Sequence, residues 1–170
     1  SPDSRFIAYL GSAGVMRTDV SGGAPDVVAA GVTSWTGGTW LHDDTTLFGR
    51  INSGLMRVPA KGGTPVEVTA LDAERQEITH GNPWILPDGR HFLYVRGSRI
   101  AGNSGIFIGS IDARPGDQQL TRLVAAQDQA EYARSINGGP GHLLFVRDGS
   151  LMAQPFDENS LALTGEPVQI

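Results

Sequence analysis

The chain contains no cysteine and few charged residues. Without cysteine it forms neither disulfide bonds nor thiolate metal sites. Charged residues make up 18% of the 170 residues and the formal net charge is -5, which argues against nucleic acid and an acidic membrane surface as partners. No segment approaches the roughly 18 apolar residues of a membrane span, and the first residues lack the basic-then-apolar pattern of a signal peptide. We therefore expect no membrane insertion by this segment.

Glycine and proline, in contrast, are abundant. The chain has 23 glycines and 10 prolines, which separate apolar runs that are too short for helices. This composition is typical of an all-β protein with many turns.

A short phrase recurs along the chain. Residues 1–10 are repeated at residues 86–95, and residues 41–50 form a degenerate copy between them. Each copy carries a turn aspartate, and these are Asp3, Asp43 and Asp88. The aspartates are separated by about 40 and 45 residues. Repeats of this length built from strands predict a β-propeller.

Each repeat predicts four antiparallel strands, named a to d from the propeller axis outward. The predicted b strands cover residues 5–10, 46–50, 91–96 and 142–147. The c strands cover residues 14–19, 54–59, 105–110 and 149–154, and the d strands residues 25–29, 65–69, 119–124 and 167–170. Candidates for strand a are residues 33–41, 77–86 and 130–136.

The sequence thus predicts about four blades, over residues 1–31, 32–72, 73–127 and 128–170. The first blade lacks strand a, and the last is cut within strand d. We expect an incomplete arc of a six- to eight-bladed ring, taken from a longer protein. Because a terminal blade leaves an apolar face uncovered, we also expect the 170-residue chain alone to be poorly soluble.

The repeated phrase resembles the WD40-like β-propeller repeat of the TolB type. The resemblance covers essentially the whole chain and is most specific in the first and third repeats. The second repeat has His42, Asp43 and Asp44 where that family has Pro-Asp-Gly, and the fourth has Gly139-Pro140-Gly141 with no aspartate.

A narrower resemblance involves residues 54–65, 143–157 and 163–168. These segments are similar to the C-terminal propeller of bacterial receptor-type serine/threonine protein kinases. In that family a cytoplasmic kinase domain precedes a membrane span and a propeller on the far side. The resemblance implies a kinase parent and a periplasmic or extracellular position, with a cytoplasmic one left open, and it places no kinase residue in this chain.

The sequence predicts no catalytic, cofactor-binding or metal-binding residue. It contains neither the kinase signatures nor the Gly-x-Ser-x-Gly elbow of a hydrolase. Its histidines, at positions 42, 80, 91 and 142, include no His-x-x-x-His pair. The turn aspartates are interpreted as structural because aspartate closes such turns through its own downstream backbone.

Binding residues are therefore expected in loops at the propeller rim or along the axis. The loops are residues 36–38, 76–82 and 128–135. The candidate residues are Trp35, Trp40, His80, Asn82, Trp84, Tyr132 and Arg134. The three tryptophans are also expected to wedge between blades.

The leading functional hypothesis is a non-catalytic propeller that binds a protein or a small ligand, as the sensor or scaffold of a receptor kinase. Two alternatives stay open. One is the propeller of a prolyl-oligopeptidase-like serine peptidase, and the other is a TolB-like periplasmic binding protein.

Overall fold

The recurring aspartates close turns, as their residue type predicts. In the computed structural model, which describes residues 1–136 and 138–170, Asp3, Asp43 and Asp88 each accept a hydrogen bond from the backbone N–H two residues later. The N···O distances are 3.1, 3.2 and 2.9 Å. Each turn leads directly into a buried or half-buried strand of the repeat.

The described residues form strands and two short 3-10 helices. The strands are β1 (Phe6–Gly11), β2 (Gly14–Asp19), β3 (Asp26–Ala30), β4 (Gly38–Trp40), β5 (Thr45–Phe48), β6 (Arg50–Ile51), β7 (Met56–Pro59), β8 (Val66–Glu67), β9 (Glu77–Ile85), β10 (His91–Ser98), β11 (Gly105–Ser110), β12 (Arg122–Val124), β13 (Ala130–Ala133), β14 (Gly141–Arg147), β15 (Ser150–Asp157), β16 (Ala162–Leu163) and β17 (Val168–Gln169). The helices are Ala101–Asn103 and Pro115–Asp117.

These strands form four antiparallel sheets that follow the chain as consecutive blades. Blade 1 has the order β1-β2-β3, and blade 2 the order β4-β5-β7-β8. Blade 3 is β9-β10-β11-β12 with β6 added at its inner edge, and blade 4 is β13-β14-β15-β16 with β17 also paired to β15. The structure confirms the prediction of an all-β, partial β-propeller.

Three apolar clusters join the blades face to face. Side chains alternate between the two faces of a strand, so a central strand contributes to two clusters. In β10, Phe92 and Tyr94 pack against blade 2, whereas Leu93 and Val95 pack against blade 4. We call the joints seam 1–2, seam 2–3 and seam 3–4. Their buried cores are centred on Phe48, Tyr94 and Phe145 respectively.

The two outermost faces lack this cover. In β1, Ile7 is 55% exposed, and in β17 Val168 is 55% exposed. Strand β1 is therefore not buried on both faces, unlike β10, since the sheets of the described residues cover only one of its sides. In the part of the chain that the structure describes, no helix is long and apolar enough to cross a membrane.

One strand crosses between blades, which the repeat pattern did not predict. The b strand expected over residues 46–50 ends at Phe48, and β6 turns away to pair with β9. Gly49 makes this turn possible: a Cβ there would lie 2.8 Å from the carbonyl oxygen of His80 and 2.9 Å from Cα of Gly81. Blade 3 is thereby tied to blade 2 by backbone hydrogen bonds as well as by its apolar core.

Candidate functional site

Two of the predicted tryptophans lie together at seam 1–2. The ring of Trp35 stacks on Phe48, with a centroid distance of 5.7 Å and an interplanar angle of 3°. The ring of Trp40 stacks on Phe6 of blade 1 at 6.4 Å and 28°. Both tryptophans are half-buried. Trp35 can pack here because residue 38 is glycine: a Cβ on Gly38 would lie 2.5 Å from Cζ2 of the Trp35 indole.

The rings of Phe6, Trp35 and Trp40 line a groove of about 290 Å³ between β1 and β4. Ala8, Thr46 and Gly38 also line the groove. Two buried polar atoms of its walls, Nε1 of Trp40 and Oγ1 of Thr46, have no hydrogen-bond partner among the described residues. A buried polar atom without a partner costs about 1–3 kcal/mol, so both atoms reduce the stability of this joint.

The inner edge of β1 borders the same groove. The backbone oxygen of Arg5 accepts a hydrogen bond from the N–H of Val20. Because backbone groups alternate in direction along a strand, those of Ile7 and Tyr9 also point toward β2. The groups of Ala8 and Leu10 point to the opposite side, where the described residues provide no strand.

A polar groove of about 420 Å³ continues from this site on the other side of Phe6. Arg5, Arg17 and Lys61 contribute its positive charges, with Asp44 on the same wall. Arg17 is held in place: it forms an ion pair of 3.0 Å with Asp26, and its guanidinium lies 4.7 Å from the ring centroid of Phe6. Arg17 thus fixes one aromatic wall of the apolar groove.

His80 does not lie at the rim, where the sequence placed it. Its side chain is 1% exposed, in seam 2–3. Nδ1 of His80 lies 2.7 Å from Oγ1 of Thr69, and Nε2 lies 2.9 Å from Oε2 of Glu77. The backbone N–H of Leu55 also donates to Thr69. All these groups are satisfied when Thr69 donates its hydroxyl hydrogen to Nδ1 and His80 donates from Nε2 to Glu77.

Arg96 completes this buried network. Its Nη1 lies 3.2 Å from Oε1 of Glu77, its Nη2 donates to the carbonyl of Gln119 at 2.7 Å, and its Nε donates to the Tyr94 hydroxyl at 2.7 Å. Burial acts to raise the pKa of Glu77, but the hydrogen bonds from His80 and Asp72 and the charge of Arg96 prevail and lower that pKa to about 2. Burial raises the pKa of Tyr94 to about 12, against the opposing charge of Arg96.

The other predicted residues lie in separate places. Asn82 donates its backbone N–H to Thr36 at 2.5 Å, and Trp84 packs against the core of seam 3–4. Tyr132 and Arg134 line a third groove of about 320 Å³ beside blade 4. Tyr132 packs edge-on against Phe156 at 5.9 Å, while Arg134 is exposed. Burial, followed by a hydrogen bond to Glu158, raises the pKa of Tyr132. The seven predicted residues therefore do not form one site.

Sequence reasoning found the tryptophans of the groove but missed Phe6, Ala8 and Thr46. Among the described residues, no group of three or more His, Asp or Glu side chains comes together in a way that could hold a metal ion.

Comparison with known proteins shows the fold. No protein-family model matches the chain, and no curated protein matches it. Among solved structures the chain is similar to regucalcin, a calcium-binding protein from Agrobacterium tumefaciens, with a TM-score of 0.67 and 15% sequence identity. The match covers 99% of this chain and 56% of regucalcin, so the chain spans just over half of that protein's length. At this identity the likeness shows the propeller fold alone.

Proposed function

We propose that the chain is a non-catalytic binding propeller and that its ligand occupies the groove of seam 1–2. The observation that carries this proposal is the pair of buried, unpartnered atoms, Trp40 Nε1 and Thr46 Oγ1, between aromatic walls. Binding sites for small molecules and peptides combine such apolar walls with a few converging polar groups.

The finer part of the proposal is that this propeller, of the WD40-like TolB type, is the sensor or scaffold of a bacterial receptor-type serine/threonine kinase. The sequence similarity of residues 54–65, 143–157 and 163–168 supports this role. On that basis the ligand is a protein or small molecule on the periplasmic or extracellular side. The coding sequence around this segment discriminates the alternatives: a kinase domain and one apolar span upstream support the proposal, whereas a downstream α/β hydrolase domain contradicts it.

Binding at the groove is tested by NMR of the three tryptophan indole N–H groups. The chain is titrated separately with a neutral nonapeptide, a disaccharide and calcium chloride. We expect the peptide or the disaccharide to shift the indole signal of Trp40, because its Nε1–H gains an acceptor. Trp84 serves as the internal control, since it packs in seam 3–4 away from the groove.

Two results would contradict the proposal. The first is a Trp40 signal that no ligand of the panel moves. The second is a shift of Trp84 as large as that of Trp40, which would indicate a general conformational change. Phosphate transfer from ATP by the 170 residues is expected to be undetectable in a radiolabel assay, in keeping with a non-catalytic role.

A further inference from the structure

A groove on the outer rim of seam 3–4 lies between two blades that each have four strands in order. Blade 3 contributes residues of β11, β12 and the segment between them, and blade 4 contributes β16 and the turn before it. The groove has a volume of about 320 Å³, at the lower end of the range of about 300–1,000 Å³ for small-molecule sites. Its size therefore fits a small molecule and not a folded partner.

The floor of this rim groove is apolar. The side chains that form it are Ile108, Leu123, Leu161 and Leu163. The three leucines are half-buried and pack against the core of seam 3–4. Covering apolar surface with hydrocarbon is favourable, so the body of an occupant is expected to be aliphatic.

Leu161 holds its part of the floor in an unfavourable backbone conformation. Its φ is +55°, in the left-handed region that favours glycine over residues with a Cβ. Asp157 maintains the turn, accepting hydrogen bonds from the N–H of Asn159 at 3.0 Å and the hydroxyl of Ser160 at 2.7 Å. Because glycine would relieve the strain, we attribute the leucine at this position to the apolar wall that its side chain completes.

Arg122 supplies the charge of the groove. The described lining residues include no acidic side chain, and the guanidinium forms no ion pair with a described residue. Nη1 donates to the carbonyl of Ser104 at 3.0 Å, and the stem crosses Gly105, where a Cβ would collide with Cδ of Arg122. These contacts hold the side chain, while Nε and Nη2 form no hydrogen bond with the described residues. Nε and Nη2 form the planar fork that binds a carboxylate through two parallel hydrogen bonds, so the free fork defines the head group.

We infer that the rim groove binds a small aliphatic carboxylate, with its head group on the Nε–Nη2 fork of Arg122 and its hydrocarbon body on Leu161 and Leu163. This site is separate from the groove of seam 1–2 and goes beyond the proposed function. Burial of the hydrocarbon supplies affinity, and the arginine selects the charge of the head group. A cationic head group meets Arg122 as a like charge and is rejected.

The test titrates the 170-residue chain with sodium hexanoate and follows the NMR signals of the Leu161 and Leu163 methyl groups. Hexan-1-ol and hexylammonium chloride vary the head group, and sodium acetate removes the aliphatic body. We expect hexanoate to shift the methyl signals saturably with a Kd of about 1 mM or below, and the other three compounds to bind at least about tenfold more weakly. The Trp40 indole signal serves as the internal control and should not move, since Trp40 lies at seam 1–2.

Variants of Arg122 test the head-group contact. Arg122→Gln removes the charge, and we expect it to weaken hexanoate binding at least about tenfold. Arg122→Lys keeps the charge without the planar fork and should cause a smaller loss. The matched control is Arg114→Gln, at another exposed arginine of blade 3 that does not line the groove, and it should change the Kd less than about twofold. Both arginines are exposed, so the variants should fold as the parent chain does, which urea unfolding checks.

Leu161→Gly tests the apolar floor. Glycine suits the left-handed backbone at this position, so the change relieves strain while it removes the side chain. We expect hexanoate to bind at least about fivefold more weakly, because part of the surface that covers its hydrocarbon is lost. Leu120→Gly is the control, at a leucine that is 53% exposed and lies outside the groove, and it should leave the Kd unchanged.

Three results would overturn this inference. The first is a set of hexanoate shifts that do not saturate, or that Arg122→Gln leaves unchanged. The second is equal binding of hexanoate and hexylammonium, which would indicate an apolar surface that does not select a head group. The third is a Kd that Leu161→Gly does not alter, which would mean that the carboxylate contacts the arginine alone. None of these results bears on the groove of seam 1–2, whose occupancy is measured at Trp40, so either proposal can fail while the other stands.

Discussion

Seam 1–2 and seam 2–3 join their blades in opposite ways. Both combine aromatic packing with a buried threonine, Thr46 in the first and Thr69 in the second. The hydroxyl of Thr69 bonds to Leu55 and His80, whereas the hydroxyl of Thr46 has no partner among the described residues. Seam 2–3 also contains the β6–β9 ladder.

The difference teaches how one repeat serves two purposes. In seam 2–3 the polar groups of Thr69, Glu77, His80 and Arg96 satisfy one another, so this joint can hold the blades together without a ligand. In seam 1–2 the unpaired atoms of Trp40 and Thr46 lower the stability of the protein, and the ligand that we propose would satisfy them.

The largest effect is expected from Glu77→Gln. This change removes the buried carboxylate and leaves Arg96, whose side chain is 3% exposed, without its counterion. Breaking a buried ion pair in this way destabilises a protein by about 3–5 kcal/mol. Urea denaturation followed by circular dichroism measures the loss.

The matched control is Asp112→Asn, in the surface pair that Arg90 forms at 2.6 Å. Its side chains are 66% and 54% exposed, so we expect a change within about 1 kcal/mol. Equal effects of the two variants would show that the network of seam 2–3 is no more important than a surface contact.

The two threonines allow the most direct comparison of the seams. Thr69→Val leaves the Leu55 N–H and Nδ1 of His80 without a partner, and we expect a loss of about 2–3 kcal/mol. Thr46→Val removes a hydroxyl that bonds to nothing described, so we expect a change within about 0.5 kcal/mol or a gain in stability. Chemical denaturation of both variants decides the comparison. A loss at Thr46 as large as that at Thr69 would contradict an open seam 1–2.

The contribution of Glu77 to stability can be measured by comparing the pH dependence of unfolding of the parent chain with that of Glu77→Gln. Its pKa is about 2 in the folded state, below the ordinary value of about 4.3, so its contribution is complete above about pH 4.3 and is lost as the pH falls toward 2. Between pH 6 and pH 3 the parent chain should lose about 2 kcal/mol more than Glu77→Gln. Subtracting the two unfolding free energies cancels the other acidic groups. Parallel pH profiles would show that Glu77 has no special role.

Much of the fold followed from the sequence because the turns are local. Asp3 and Asp88 bond to backbone groups two residues away, so the repeat could be recognised without tertiary information. The path of β6 could not, because the close contact of Gly49 is with His80 and Gly81, which come some 30 residues later in the next repeat.

The candidate site was predictable only in part, for a similar reason. Trp35 and Trp40 were expected at a blade joint because large aromatic side chains favour such positions. His80 was placed at the rim because it is polar, but Thr69 and Glu77 satisfy both of its ring nitrogens and allow it to be buried. The hydroxyl of Thr46 has no hydrogen-bond partner because of which side chains surround it in the folded protein. A pattern of residue types along the sequence does not give that three-dimensional arrangement.

The smallest effect is expected from Trp40→Phe, and it bears directly on the comparison of the seams. The substitution keeps an aromatic ring against Phe6 and removes Nε1, which has no described partner in the free protein. The lost contact area and the relief of an unsatisfied donor offset each other, so we expect the free energy of unfolding to change by less than about 1 kcal/mol. The same change should weaken peptide binding severalfold, because the bound ligand loses a donor. Thermal unfolding with and without the neutral nonapeptide measures both quantities. A loss above about 2 kcal/mol in the free protein would mean that Nε1 is already bonded, and seam 1–2 would then be as closed as seam 2–3.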